Sequence, residues 1–217
     1  MIALLRYEGG LLFRSHRWVL PLVGYALLLS VGAAGAGRQS VGDGLDWSAA
    51  ILVAAVAVLT RSMLTAEPAA TRACVATAAG PARAQLAALL TAFTAGVVLG
   101  LLGAGYEVLT SSHQAGLLAP LATGLVTALV CVLVGSAVGT LFNPPLIRHP
   151  AMALLTTIGA IVLAWAARIS PANAALRSGG AAQTSAAWPT GAPFAAALVL
   201  VAASWAVSCW LAGRRGD

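Results

Sequence analysis

The chain has 217 residues, 60% of them hydrophobic and 8% charged, about a third of the roughly 25% charged share of soluble domains. That composition excludes a water-soluble fold and leaves about 130 apolar residues, enough for about six bilayer-crossing helices of roughly 20 residues each. All 12 basic residues are arginine, against 6 acidic ones, for a formal net charge of +6; without lysine there is no P-loop lysine to grip a phosphate and no Schiff-base chemistry.

In chain order, residues 1–17 predict an amphipathic helix lying on a membrane surface. Arg6, Gly10, Arg14 and Arg17 share one face, while Ile2, Leu4, Leu5, Leu11, Leu12 and Phe13 spread over the other. Glu8 and the Gly9–Gly10 pair interrupt this pattern. The basic start and the small residues from Val31 to Gly37 also resemble a signal peptide with its cleavage region. The apolar stretch from Trp18 to Gly37 is nevertheless long enough to span, so it is expected to be retained as the first crossing.

Residues 18–217 then predict a six-helix transmembrane domain, with spans at about 18–37, 47–64, 85–105, 118–142, 151–168 and 194–212. The connections alternate in charge. Nine arginines (Arg6, Arg14, Arg17, Arg61, Arg72, Arg83, Arg148, Arg214 and Arg215) fall on one side, and Arg38, Arg168 and Arg177 on the other. The positive-inside rule places both termini in the cytoplasm. The arginines form no basic domain and do not cluster with aromatics, so the net charge reflects membrane orientation and no nucleic-acid partner is expected. The expected fold class is an all-α integral membrane protein with an N-terminal interfacial helix and six spans, seated in a bacterial cytoplasmic membrane.

Within the spans no ionisable residue lies near the middle; Arg61, Glu107 and Arg168 stand at ends, which disfavours proton or ion coupling. Small residues recur instead: Gly96, Gly100 and Ala104 in the third span, Cys131, Gly135 and Gly139 in the fourth, and Ala33 with Gly37 in the first, a pattern that predicts close helix packing. Ser136 has no histidine at its depth, because His16, His113 and His149 all lie outside the spans, and the acids are scattered. No catalytic constellation follows. Cys74, Cys131 and Cys209 lie in separate segments without metal-ligand spacing, so neither metal nor cofactor is expected in this chain.

Three connections carry the remaining information. Between the second and third spans, Glu67 and Pro68 suit a first helical turn and Gly80–Pro81 a stop, which predicts a helix over 68–79 presenting a compact knob to the cytoplasm. Asn143–Pro150 ends one span and opens the next; its Arg148 and His149 could touch a cytoplasmic partner, with Arg148 chiefly fixing topology. In the outer loop 170–192, residues 171–178 predict a helix of one or two turns ended by Gly179–Gly180, with Trp188 as an interfacial anchor.

The order of surface helix, span, outer loop, span and cytoplasmic helix, followed by Ala76-Thr-Ala-Ala-Gly-Pro-Ala-Arg-Ala-Gln-Leu-Ala-Ala-Leu-Leu90, resembles the permease subunits of type 2 ABC transporters. In that family a glutamate-bearing loop precedes a phrase of the form small, Thr, Pro, x, Ser or small, Arg, x, x, Leu, x, x, Lys, Leu, Leu. Thr77, Arg83, Leu86, Leu89 and Leu90 approximate it with shifted spacing, and the family's lysine is missing. The resemblance implies a coupling helix at 67–80 with Glu67, Arg72, Thr77 and Arg83 as ATPase-coupling residues. It also implies a separate ATP-binding cassette subunit carrying ATP and Mg, and a second permease copy or a related chain across the membrane path. The function it implies is export of an amphipathic or lipophilic cargo such as an antibiotic, an antimicrobial peptide or a lipid. The alternatives are a non-transporting membrane scaffold or sensor, and the substrate-capture subunit of an importer.

Overall fold

The protein is represented by a computed structural model that describes residues 1–35, 40–110, 118–142, 150–182 and 191–214. Every regular element among them is a helix: α1 (Ile2–Arg14), α2 (Val19–Gly35), α3 (Val41–Leu64), α4 (Ala69–Ala79), α5 (Pro81–Thr110), α6 (Leu118–Leu141), α7 (Pro150–Ala166), α8 (Pro171–Ala182) and α9 (Gly191–Arg214). Five stretches are long and apolar enough to cross a membrane: α3, α5, α6, α9, and Ala151–Ser178, which takes in α7 and most of α8. The pair α1 and α2, bent by 66°, would make a sixth if counted as one span. The chain is thus a multi-pass, all-helical membrane protein among its described residues.

At the bend between α1 and α2, His16 adopts a left-handed backbone with φ 54°, a conformation in which histidine is enriched among non-glycine residues. Its ring Nδ1 lies 3.1 Å from the Arg14 carbonyl oxygen, and Phe13 and Trp18 pack edge to face across the turn with centroids 6.2 Å apart. On α1, Arg6, Gly10, Arg14 and the following Arg17 are all exposed, as are Ile2 and Phe13 of the expected apolar side, while Glu8 and Leu12 are buried.

The centre of the bundle is α3, which packs against α2, α5, α6, α7 and α8. It begins six residues earlier than the apolar run suggests. Ser40 caps it, accepting a 3.3 Å hydrogen bond from the Asp43 backbone N–H and donating one of 2.6 Å to the Asp43 carboxylate. This side-chain cap and the acid in the first turn compensate for the helix-weakening Gly42 and Gly44. Asp46 therefore lies within the helix and not in a loop. At the other end of the sequence interval, α5 runs on to Thr110 and carries Glu107 inside it, buried.

In lipid, apolar contact alone does not drive helices together, so close approach depends on small side chains. The seam between α3 and α6 follows that rule. A Cβ on Gly135 would stand 2.7 Å from the Val53 carbonyl oxygen, and one on Gly139 would stand 2.7 Å from that of Ala57. Both helices advance by four residues in the same direction, so α3 and α6 run parallel. The contact of α5 with α3 runs the other way: Gly96 faces Val56, Gly100 faces Leu52, Gly103 lies under Tyr25 and Ser48, and Glu107 lies against Gly44. In α2 the close approach falls at Gly32, beneath the Trp47 ring, one residue from the expected Ala33.

The segment after α7 departs from the expected outer loop. α8 runs through Gly179–Gly180 to Ala182, and its Ala172 and Ala175 are fully buried in the main core. The Asn173 side-chain amide donates to the Trp165 carbonyl, and Trp165 Nε1 donates to the Ala50 carbonyl at 3.0 Å, tying the α7–α8 break to α3. Packing on α3, α6 and α9 outweighs the weak helix propensity of the glycine pair. Trp188 lies outside the described residues.

Candidate functional site

Chemistry inside the bundle is sparse. Ser136 is fully buried and accepts a 3.2 Å hydrogen bond from Trp205 Nε1, whose ring also packs edge-on against Phe93. Among the described residues no group of three or more His, Cys, Asp or Glu side chains could hold a metal ion. The free cysteines are scattered, with Cys74 exposed on α4, Cys131 buried and Cys209 between.

The concentration of specific polar contacts lies where α3 gives way to α4. The last carbonyls of a helix have no partners within it and carry the negative end of its dipole. Here two arginines from different elements meet them. Arg17, just before α2, donates from Nη1 to the Thr65 carbonyl at 2.8 Å and to its hydroxyl at 3.4 Å. Arg72, in the first half of α4, donates from Nη2 to the Leu64 carbonyl at 2.6 Å and to the Glu67 carbonyl at 3.4 Å. Charge-assisted bonds of this kind are the strong ones. The Thr65 hydroxyl completes the end by donating to the Arg61 carbonyl at 2.9 Å.

α4 itself is set by local chemistry. Pro68 occupies its N-cap position, and Gly80, with φ 88°, turns the chain directly into Pro81 at the start of α5. Only glycine adopts that backbone without strain. The residues of α4 are mostly exposed, and its principal packing partner is α5. The result is a short helix standing out from the bundle with its first turns hydrogen-bonded to the end of α3.

The residues expected to couple to a partner separate into two groups. Glu67 and Arg72 come together at the base of α4. Thr77 is exposed toward the far end of α4, its hydroxyl donating to the Cys74 carbonyl at 2.9 Å, and Arg83 is exposed on the first turn of α5. Arg148 and His149 lie outside the described residues. Sequence reasoning missed Tyr7, Arg17 and Thr65. Side-chain hydrogen bonding to Glu67, followed by burial, pushes the Tyr7 phenol up to about 12, so α1 reaches toward the same cluster. The only signal in the sequence was Glu8, the acid that broke the apolar face of α1.

Comparison with known proteins gives no relative: no protein-family model, curated protein or solved structure matches the chain.

Proposed function

We propose that this chain is the transmembrane permease subunit of an ATP-binding cassette exporter in a bacterial cytoplasmic membrane, powered by a separate ATPase subunit that docks on α4. The observation that supports this reading is α4 itself, an exposed helix between two spans whose base is hydrogen-bonded through Arg72 to the end of the most central helix. A solvated connector needs no such anchoring, whereas a helix that must pass on a push does. ATP and Mg bind on the partner; closure of the ATPase pair displaces α4, and Arg72 and Arg17 carry that displacement into α3. From there the close seam with α6 passes it into the bundle, because packed helices shift as discrete units. A second permease copy or a related chain supplies the other wall of the path. The apolar, hydroxyl-dotted helices suit an amphipathic or lipophilic cargo.

The test is co-purification. A tagged full chain extracted from its native membrane is expected to bring down an ATP-binding cassette ATPase, and replacing Glu67 and Arg72 together is expected to lose that complex or uncouple its ATPase activity. Capture of no ATPase favours a non-transporting scaffold and overturns the proposal. An intact, cargo-stimulated complex in the double variant overturns the docking assignment.

A further inference from the structure

The geometry points to a cation-binding site where α2, α3 and α5 meet, built on the Glu107 carboxyl and suited to the ammonium end of an amphipathic cargo. The inference deepens the proposed export function by naming the charge of the cargo, while the site itself is a property of this chain.

Glu107 stands in the last turn of α5 and is 6% exposed. Its carboxylate Oε2 lies against the backbone of Gly44 in α3, in the space that any side chain there would fill. One turn further into the bundle along both helices, Ser48 of α3 and Gly103 of α5 stand together. Gly103 leaves room for Tyr25 of α2, whose hydroxyl crosses it to lie 3.1 Å from the Ser48 hydroxyl, and both of these residues are buried. Three helices thus enclose one carboxyl and two hydroxyls, with glycines making the space.

These groups do not satisfy one another. The two hydroxyls share one hydrogen bond, and the Glu107 carboxyl has neither a hydrogen bond nor an ion pair among the described residues. A carboxylate left without a partner inside a span is costly, and such residues mark substrate or ion sites. The other acids at this end of the bundle are Asp43 and Asp46 of α3. The described arginines on the same side, Arg168 and Arg177, are exposed and belong to the α7–α8 segment, whose α8 packs on α3, α6, α7 and α9; Arg38 lies outside the described residues.

An ammonium group completes this set, because it brings three donors and one positive charge to a single point. The carboxyl and the hydroxyl pair are about one helical turn, or roughly 5.4 Å, apart along α3. A nitrogen that donates over roughly 2.8 Å in each direction spans that gap. A multivalent metal ion has no such fit, since no group of three or more His, Cys, Asp or Glu side chains among the described residues could hold one. α2 buries the stripe Pro21, Tyr25 and Leu29 and leaves Leu20, Val23 and Leu27 in the open. The site therefore lies one helix in from an apolar face, where an amphiphile keeps its tail outside the bundle and brings its head in beside Tyr25.

The experiment uses the full chain in phosphatidylcholine vesicles with dicyclohexylcarbodiimide, an apolar reagent that adds to carboxyl groups within a membrane. Modification at Glu107 is read by peptide mass spectrometry. Glu107 is expected to be modified, and dodecylammonium is expected to slow that modification about tenfold once it saturates the site. Dodecanol, the same tail without the charge, and sodium ion, the charge without the tail, are each expected to leave the rate unchanged. Ser48→Ala is expected to react at the parental rate without amine, which shows that its site is intact, and to need about ten times more dodecylammonium for the same protection. No modification of Glu107, equal protection by dodecanol, protection by sodium ion in place of dodecylammonium, or an unchanged requirement in Ser48→Ala overturns the inference. Protection by dodecylammonium in a chain that captures no ATPase overturns the export reading and leaves the site standing; capture without protection does the reverse.

Discussion

The α3–α6 seam and the α4 knob are held by opposite means. Fourteen residues of α6 are buried against its neighbours, and along the α3 seam Gly135 and Gly139, about one turn apart, bring backbone against backbone, so the contact is continuous. α4 is mostly exposed and is fixed at its two ends, by Arg72 at the base and by the Gly80–Pro81 turn at the tip. Continuous packing resists relative motion everywhere along a helix. A helix held at its ends can be displaced as a body while its own backbone bonds stay intact.

Substitutions that attack each means should therefore differ in size and in reach. The largest effect is expected from Gly135→Leu, because the new side chain meets the Val53 carbonyl oxygen and Cα, which cannot rotate away. Overpacking of this kind costs about 3 kcal/mol, and it should appear as a lower thermal unfolding midpoint of the whole protein in detergent. An unchanged midpoint would show that the seam is looser than described. Arg72→Ala comes next. It removes a charge-assisted bond worth about 1.5 kcal/mol, and its effect should be local, seen as faster amide hydrogen exchange over 65–72 with little change in the midpoint. If exchange accelerates equally in α6, base and seam are one cooperative unit and the contrast fails. Thr77→Ala should be the smallest, within about 0.5 kcal/mol, since its hydroxyl bonds only to its own helix; a larger loss of stability would mean that the far end of α4 is anchored as well.

Features written in neighbouring residues could be read from the sequence. Pro68 and Gly80–Pro81 bracket α4 to within one residue of the observed helix, and the four-residue spacing of Gly96 with Gly100 and of Gly135 with Gly139 marks positions that lie at helix contacts. What spacing does not contain is the partner: nothing local says that Gly135 meets α3 or that Gly100 faces Leu52. The start of α3 was hidden because Gly42 and Gly44 weaken a helix that Ser40 and Asp43 restore. The extent of α8 was hidden because a glycine pair is a stop signal only where no tertiary contact overrides it. Glu8 was visible as an anomaly in an amphipathic face, yet its burial one turn from Leu12, which packs on Leu59 and Met63 of α3 and Ala92 of α5, is a tertiary fact that no local pattern contains.

The parallel pairing of α3 with α6 has a consequence for how the protein is made. The stripe Val53, Ala57 and Thr60 on α3 finds its mate only when Gly135 and Gly139 have been synthesised and inserted. Until then that surface, with the Thr60 hydroxyl on it, is offered to lipid or to whatever assists insertion. The α2–α3 and α3–α5 contacts can form in the order of synthesis, but the seam closes late and over two intervening helices. A chain stopped before residue 118 would hold α4 in place while the central helix of the bundle stood open along the side that α6 covers.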